Sequence, residues 1–432
     1  MFYMIFAEAR IWEVAMGMTM TEKILARAAG LETVTPGDFV TVNVETAVVI
    51  DQNFMHNRMR EPKKVFDPDK VVIMLDHIAP ADSPMRASMH KAARQFADKH
   101  GIRKFHDVNS DLGICHQLVA DFGYAVPGTL LACVDSHTCS AGAFNCAARG
   151  IGHPEMSYVC ATGQTWFPVC ETIQYDLQGE LVPLLNAKDI ILKIANAFGE
   201  HAMHNVEFVG PGISKMSMNS RRTLATMCAE ISAEFAVFEA DEVCEAHVRE
   251  RNPSVEFEAQ FADDDADFAE KRIIDLTEIE PLVAYPDTVV ENARPVMQAD
   301  QEHIDQAFIG SCANGTLDDF EIAARVVKGK KVAQGTRFIV TPGSQAIYLE
   351  AIRRGYVETL MEAGAIVTNS TCGACCGYSN GILAPGEKCV TASTRNFKGR
   401  MGSPEAEIFL ASPATVAATA IRGKLTDPRE LL

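Results

Sequence analysis

Residues 369–380 read NSTCGACCGYSN, a loop-like segment that contains three cysteines. The Gly, Ser, Thr and Asn around them favour a turn over the interior of a helix or strand. Cys372 and Cys375 form a C-x-x-C pair, which zinc, thioredoxin-like redox and iron–sulfur sites all use. A zinc knuckle needs a second C-x-x-C or Cys/His pair, which the sequence does not contain. A redox pair usually opens a helix, and the following GYSNGILAPGE does not continue one.

A third candidate thiol lies upstream, in the segment AFIGSCANGTLDD at residues 307–319. An apolar strand pattern runs into Gly310 and Cys312, and a helix pattern with Asp318 and Asp319 in its first turn follows. This places Cys312 at a strand end beside a helix N-terminus, an environment that stabilises a thiolate.

Three thiolates at Cys312, Cys372 and Cys375 would bind three irons of a [4Fe–4S] cluster and leave the fourth iron without a protein ligand. Such an iron is a Lewis acid that can take a substrate hydroxyl and carboxylate. Cys376 and Cys389 are alternative fourth ligands. Cys376 directly follows Cys375, so binding both to one cubane would strain the backbone.

The bulk composition indicates a cytoplasmic protein of several domains. The chain has 432 residues, 47% of them hydrophobic and 22% charged, which predicts two or three domains. No apolar run reaches the length of about 18 residues that a membrane span requires. The net charge of −18 argues against nucleic acid as a partner. The 13 cysteines, without an export signal, predict reduced thiols, most of them structural.

Short β-branched runs alternate with amphipathic helix patterns, which predicts an α/β protein with largely parallel sheets. The chemical loops mostly follow strands, where sites form in such sheets. Residues 1–17 are interpreted as an N-terminal extension, with Met18 or Met20 as a possible true start. We expect domains at 18–185, 186–297 and 298–432, with a linker near 284–302.

Several motifs resemble those of the aconitase superfamily, most closely the large subunit family of isopropylmalate dehydratase and homoaconitase. The resemblance spans residues 18–430 and is carried, in this order along the chain, by the segments LDH, GICHQL, VDSHTCSAGAFNCAARGIG, IGSCANG, TCGACCGYSNGILAPGE and STRNFKGRMGSPEAEIFLASPATVAATAIRGKL. It implies aconitase-like three-layer α/β/α domains, with the cluster at the domain interface.

The resemblance also implies residue roles. Cys312, Cys372 and Cys375 are similar to the cluster ligands. His77, paired with Asp76, resembles the acid that protonates the departing hydroxyl. The remaining matches are two active-site histidines with their aspartate, an acidic residue near the open iron, and two arginines that hold substrate carboxylates: His116, His137, Asp135, Glu207, Arg395 and Arg400.

The sequence departs from the family pattern at several positions. The family's catalytic base is a serine on a swivelling domain. This chain ends at Leu432 without a counterpart, so we expect that domain on a separate small subunit. Thr394 stands where the family usually has Asn, and Cys376 replaces a Leu-like position. The segment VIDQNFMHN keeps Asp51 but lacks a Thr of the family pattern. These changes surround the substrate and leave its identity open.

The leading interpretation is the large subunit of a [4Fe–4S]-dependent hydro-lyase acting on a malate-like hydroxy acid. Candidate substrates are 3-isopropylmalate, homoaconitate and 2,3-dimethylmalate. A second interpretation is a non-catalytic regulatory or binding protein that retains the fold, against which the net charge and the full set of candidate residues count. A third is a structural zinc protein with an unrelated activity.

Overall fold

A computed structural model describes residues 17–56, 58–299 and 301–431 of the chain. The predicted extension at 1–17 therefore lies almost entirely outside the described residues. Parallel sheets alternate with helices along the chain, which confirms the predicted α/β class. Within the described ranges, none of the helices combines the length and apolarity that crossing a bilayer requires.

The strands are short, and most of their residues are buried. In chain order they are β1 (Phe39–Asn43), β2 (Thr46–Ile50), β3 (Val71–Met74), β4 (Phe105–His106), β5 (Leu130–Cys133), β6 (Ala147–Gly150), β7 (Gln164–Pro168), β8 (Glu171–Gln178), β9 (His204–Val209), β10 (Ala236–Phe238), β11 (Glu270–Asp275), β12 (Leu282–Ala284), β13 (Ala293–Pro295), β14 (Gln306–Ile309), β15 (Arg337–Val340), β16 (Ile366–Val367), β17 (Lys388–Thr391) and β18 (Glu407–Ala411).

The helices mostly begin at polar caps and many end at glycines in the left-handed conformation. They are α1 (Met20–Ala29), α2 (Pro84–His100), α3 (Cys115–Asp121), α4 (His153–Thr162), α5 (Ala187–Phe198), α6 (Met218–Met227), α7 (Glu242–Arg251), α8 (Ser311–Asn314), α9 (Leu317–Val327), α10 (Gln345–Arg353), α11 (Tyr356–Ala363) and α12 (Pro413–Arg422). Helix α1 illustrates why a helix begins at a polar residue. Thr19 and Glu22 form a capping box that satisfies backbone N–H groups left without partners in the first turn.

Three sheets carry the fold. The first has the strand order β4-β3-β2-β5-β6 and the second β10-β9-β8-β11, and both are parallel throughout. The third has the order β13-β12-β18-β17-β14-β15-β16, with antiparallel pairing only around β12. Strands β1 and β7 form a separate antiparallel ribbon.

The chain passes from the first sheet to the second before β8 and to the third sheet at β12, whereas the domain boundaries at 185/186 and 297/298 stay predictions. Strand β8 pairs with β9 in the second sheet, although the prediction assigned it to the first domain. Strands β12 and β13 belong to the third sheet, so the predicted linker at 284–302 includes a paired strand. The physical reason is that a strand pattern locates a strand but does not identify its partner.

The first two sheets share one apolar core, which contains Ile50, Phe144 and Phe208. A second core lies against the third sheet and includes Phe320 and Phe338. Because parallel sheets place functional groups beyond the carboxyl ends of their strands, the loops after β3, β5, β14, β16 and β17 are positioned to meet.

Candidate active site

The loops that follow strands of the first and third sheets line a common cavity. Its walls include three histidines, their carboxylate partner, five cysteines and one arginine: His77, His116, His137, Asp135, Cys115, Cys312, Cys372, Cys375, Cys376 and Arg400. Thr371 joins the two sheets here, because its Oγ1 lies 3.2 Å from the carbonyl oxygen of Asp76 and 3.0 Å from that of His77. The structure thus brings together most of the residues that the sequence singled out.

Cys312 lies in α8, directly after Ser311, whose φ of 83° is in the left-handed region. A non-glycine residue rarely adopts this conformation, and such strain is concentrated at functional sites. Cys372 and Cys375 lie at a tight turn over residues 372–376, which Gly373 enters with a φ of 46°. All three cysteines are buried.

Burial raises the pKa of the Cys312 thiol well above its usual range. The sequence analysis expected a thiolate stabilised by a helix N-terminus, but α8 has only four residues and the low-dielectric surroundings outweigh it. A buried thiolate here requires a bound cation, since a coordinated thiol loses its proton outright.

The three sulfurs suit a cluster better than a single ion. One tetrahedral ion that binds sulfur at about 2.3 Å holds its sulfur ligands about 3.8 Å apart. The sulfurs of Cys312, Cys372 and Cys375 line the same cavity, yet they are not all within 4.8 Å of one another. Three thiols spread around one cavity therefore fit a multi-iron group.

His77 is held between carboxylates. Its Nδ1 lies 2.8 Å from Asp76 Oδ1 and 3.8 Å from Asp51 Oδ1, and its Nε2 lies 3.3 Å from Asp135 Oδ2. Burial alone would lower the pKa of His77, but Asp76, Asp135 and Asp51 outweigh it and raise this pKa well above the ordinary value. The imidazole is therefore a proton donor at neutral pH.

Asp135 is the point on which all three histidines converge. Its Oδ1 lies 2.8 Å from His116 Nε2 and accepts the backbone N–H of His137 at 2.8 Å. Burial would raise the pKa of Asp135, yet hydrogen bonds from His116, His137 and His77 hold it well below the ordinary value. The aspartate remains ionised and fixes the orientation of the rings around it.

Glu230 is a site residue that the sequence analysis missed. Its Oε1 lies 2.8 Å from His137 Nε2 and accepts the Nε–H of Arg395 at 2.8 Å. Burial would raise the pKa of Glu230, but His137 and Arg395 lower it. The carboxylate thereby ties a histidine to an arginine. Glu230 follows α6 and belongs to no recognisable sequence motif. The one feature that could have indicated a functional role is that it is an acidic residue in a segment of otherwise small and apolar residues.

Glu207 lies apart from the other predicted site residues. The sequence analysis put this residue near the open iron, but it lies in the middle of β9 and does not line the cavity. Its Oε1 accepts both the backbone N–H of Thr21, at 2.7 Å, and the Thr21 hydroxyl, at 2.9 Å. Burial raises the pKa of Glu207 to about 7. Glu207 therefore joins β9 to the start of α1.

The two predicted arginines occupy different places. Arg400 donates from Nη2 to the sulfurs of Cys375, at 3.7 Å, and Cys376, at 3.5 Å. Arg395 instead reaches the site through Glu230. Thr394, which immediately precedes Arg395, approaches Cys375, with its Oγ1 3.9 Å from the sulfur. Thr394, the departure noted in the sequence, thus lies against a proposed cluster ligand.

Lys188 is a further residue that sequence reasoning did not identify. It is fully buried, and its ammonium donates to the carbonyl of Ser393 at 2.7 Å. Burial lowers the pKa of Lys188 to about 8, although the acidic groups and thiols nearby, Cys312 among them, oppose this effect. The ammonium holds the strand end from which Thr394 and Arg395 enter the site.

The unusual segment at residues 50–57 also contacts the cysteine loop. Gln52 donates from Nε2 to the Tyr378 hydroxyl at 3.1 Å. Asp51 is fully buried and accepts the backbone N–H of Ile78 at 3.2 Å. This part of the chain therefore borders the His77 loop and the cysteine turn together.

Comparisons with known proteins agree with the resemblance described above. The family model described as "Aconitase family (aconitate hydratase)" matches residues 22–302 and 287–423. The chain is 50% identical to the 3-isopropylmalate dehydratase large subunit of Mycolicibacterium smegmatis over 417 residues, which cover 96% of this chain and 98% of that protein. It is 40% identical to the probable methanogen homoaconitase large subunit of Methanothermobacter thermautotrophicus, with 96% and 98% covered. The holo-form crystal structure of Thermococcus kodakaraensis aconitase X is 13% identical, with a TM-score of 0.47, and the match covers 85% of this chain and 88% of that one.

Proposed function

Because this chain belongs to the aconitase family, we propose that it is the large subunit of a [4Fe–4S]-dependent hydro-lyase. Its substrate is a malate-like hydroxy di- or tricarboxylic acid. The observation that most supports this proposal is the single cavity that collects Cys312, Cys372, Cys375 and the histidine–carboxylate network.

Cys312, Cys372 and Cys375 are the proposed ligands of the cluster, whose fourth iron is open to substrate. When bound, the cluster supplies Lewis acidity toward the substrate hydroxyl and a carboxylate. The buried position of the three thiols favours retention of the group in a water-poor site. Cys376 and Cys389 are not proposed as ligands.

His77 is the proposed general acid for the departing hydroxyl. Two contacts support this role: Asp76 fixes one ring nitrogen, and the other nitrogen faces Asp135 at the cavity. The raised pKa of His77 keeps the ring protonated at neutral pH, as the acid role requires. His116 and His137 complete a rigid polar wall around Asp135.

Arg395 and Arg400 are the proposed clamps for substrate carboxylates, because guanidinium groups bind carboxylates in a fixed fork geometry. Glu230 orients Arg395 through its Nε, and Glu230 also holds His137. In this proposal, Glu230 is a positioning residue that sets the substrate-binding arginine and a site histidine at once.

A small subunit is the proposed partner, and it would supply the base that removes a proton from carbon. The names of the relatives support this, since each is a large subunit. The same names refer to 3-isopropylmalate dehydratase and homoaconitase, so an alkyl- or carboxyalkyl-malate is the proposed substrate class. Closure by the partner would exclude water and complete the carboxylate clamp.

The test is activity after anaerobic iron and sulfide reconstitution, with and without a small subunit from a related dehydratase. Dehydration of 3-isopropylmalate, homocitrate and 2,3-dimethylmalate is followed by the ultraviolet absorbance of the conjugated products. Turnover of at least one acid that needs both the cluster and the partner supports the proposal. A chain that assembles the cluster with the partner and turns over none of them would favour a binding or regulatory role.

A further inference from the structure

The cavity contains a second set of metal ligands that overlaps the cluster site. One nitrogen of His77 and the sulfurs of Cys372 and Cys376 all lie within 4.8 Å of one another. A tetrahedral ion that binds sulfur at about 2.3 Å and nitrogen at about 2.1 Å places its ligands about 3.6–3.8 Å apart, up to about 1 Å closer than this limit. A shift of up to about 1 Å therefore brings the three atoms to the spacing that one ion requires.

The surroundings of His77 favour a metal at its second nitrogen. Nδ1 lies 2.8 Å from Asp76 Oδ1, while Nε2 faces the cavity near Asp135. A histidine whose other N–H is donated to a carboxylate is the usual arrangement of a metal-binding imidazole. Asp76 is itself fixed, because its Oδ2 accepts the backbone N–H of Cys115 at 3.0 Å.

Cys376 makes this set distinct from the cluster ligands. It is the one cysteine of the cavity that is partly exposed, so an ion can reach it from solvent. Arg400 Nη2 donates to its sulfur at 3.5 Å, so this sulfur already faces a polar partner in the cavity. The proposed cluster leaves this thiol without a role.

We propose that, in the cluster-free chain, Cys372, Cys376 and His77 bind one divalent ion of the zinc class. The two thiols and the Nε2 of His77 release their three protons to solvent, and water takes the fourth position. Because Cys372 and His77 belong to both sites, the ion and the cluster exclude each other, an exclusion that rests on the proposed function. Metal occupancy then decides whether the chain can be assembled into an enzyme.

The test is an anaerobic titration of the cluster-free full-length chain with Co²⁺, read by thiolate-to-metal charge-transfer and tetrahedral ligand-field bands. Wild type and Cys312→Ser should bind one equivalent with two sulfur ligands. Cys376→Ser and Cys376→Ala should bind at least ten-fold more weakly, since loss of even an outer-shell partner typically costs roughly 10–100-fold. Cys389→Ser is a matched control, because Cys389 is a buried cysteine that does not line the cavity. Equal thermal melting of all variants shows that folding is not the cause.

Wild-type affinity in both Cys376 variants would overturn the proposed ligand set, as would loss of binding in Cys312→Ser. Exclusion is tested by adding one equivalent of Zn²⁺ before cluster reconstitution. The zinc should slow assembly in wild type and have little effect in Cys376→Ser. Equally fast assembly with and without zinc in wild type would overturn the exclusion. If no variant assembles a cluster even without zinc, the proposed function fails, whereas the Co²⁺ result still decides the single-ion site.

Discussion

Replacing Glu207 by Gln is expected to change how stability depends on pH and to leave catalysis intact. Glu207 is buried in β9, and only its Oε1 has hydrogen-bond partners among the described residues, both from Thr21. The Gln carbonyl can accept the same two bonds, and its amide nitrogen replaces the unpartnered Oε2. Gln is therefore a close mimic of the protonated glutamic acid.

The sign and size of the effect follow from the pKa. Burial raises the pKa of Glu207 from 4.5 to about 7 in the folded chain. A folded-state pKa above the unfolded value gives stability that is present below pH 4.5 and is lost as pH rises through about 7. The gap between these values, at about 1.36 kcal/mol per pH unit, is about 3 kcal/mol.

The assay compares thermal unfolding of wild type and Glu207→Gln between pH 5 and pH 8. Near pH 5 the two should melt close together, and at pH 8 the variant should be more stable. For 432 residues unfolding together, an entropy of roughly 2.1 cal/mol/K per residue converts this to a Tm gap of about 3 °C.

Glu230→Gln is the matched control, because it weakens the contacts to His137 and Arg395. With cluster and small subunit present, it should lose activity by about 100-fold or more, while Glu207→Gln retains it. The reasoning is refuted if Glu207→Gln shows the wild-type pH profile of stability, or if Glu207→Gln is the inactive variant and Glu230→Gln the active one.

Three further predictions follow from the site. Cys312→Ser, Cys372→Ser and Cys375→Ser should each abolish the [4Fe–4S] absorbance spectrum after anaerobic reconstitution, whereas Cys376→Ser should keep most of it; the opposite result for Cys375 and Cys376 would reassign the ligand. Air exposure should remove one iron first, giving a three-iron form by electron paramagnetic resonance that ferrous iron and thiol restore; activity that persists in air with a chelator present would contradict an open iron. The reconstituted chain alone should show negligible dehydration until a small subunit is added, because proton abstraction from carbon needs a positioned base; full turnover without the partner would place that base on this chain.

The sequence allowed site residues to be predicted best where reactive side chains lie in loops that follow strands. The cysteine turn and the segment around Cys312 could be located because loops with small residues and thiols interrupt or follow apolar strand patterns, whereas His77 and Asp135 were identified through the family resemblance. Their convergence in one cavity follows from parallel sheets, which place such loops at the same edge.

Other features depend on contacts between distant parts of the chain. Glu230 could not be assigned because its partners are 93 and 165 positions away. A site role for Glu207 was implied by the family resemblance, and its contact with Thr21, 186 positions away, could not be predicted from the residues around it. The pairing of β8 with β9 and β11 likewise could not be predicted from the residues of β8 alone.

The central proposal is a cluster held by three cysteines with one iron open to substrate. Its most direct test is a Mössbauer spectrum of the reconstituted, iron-57-labelled chain with its small subunit, before and after addition of substrate. The account predicts that one iron of the four differs from the rest and that its signal alone moves when the hydroxy acid binds. If a preparation that turns over the hydroxy acid shows no change in any of the four iron signals when the acid is added, the account is contradicted.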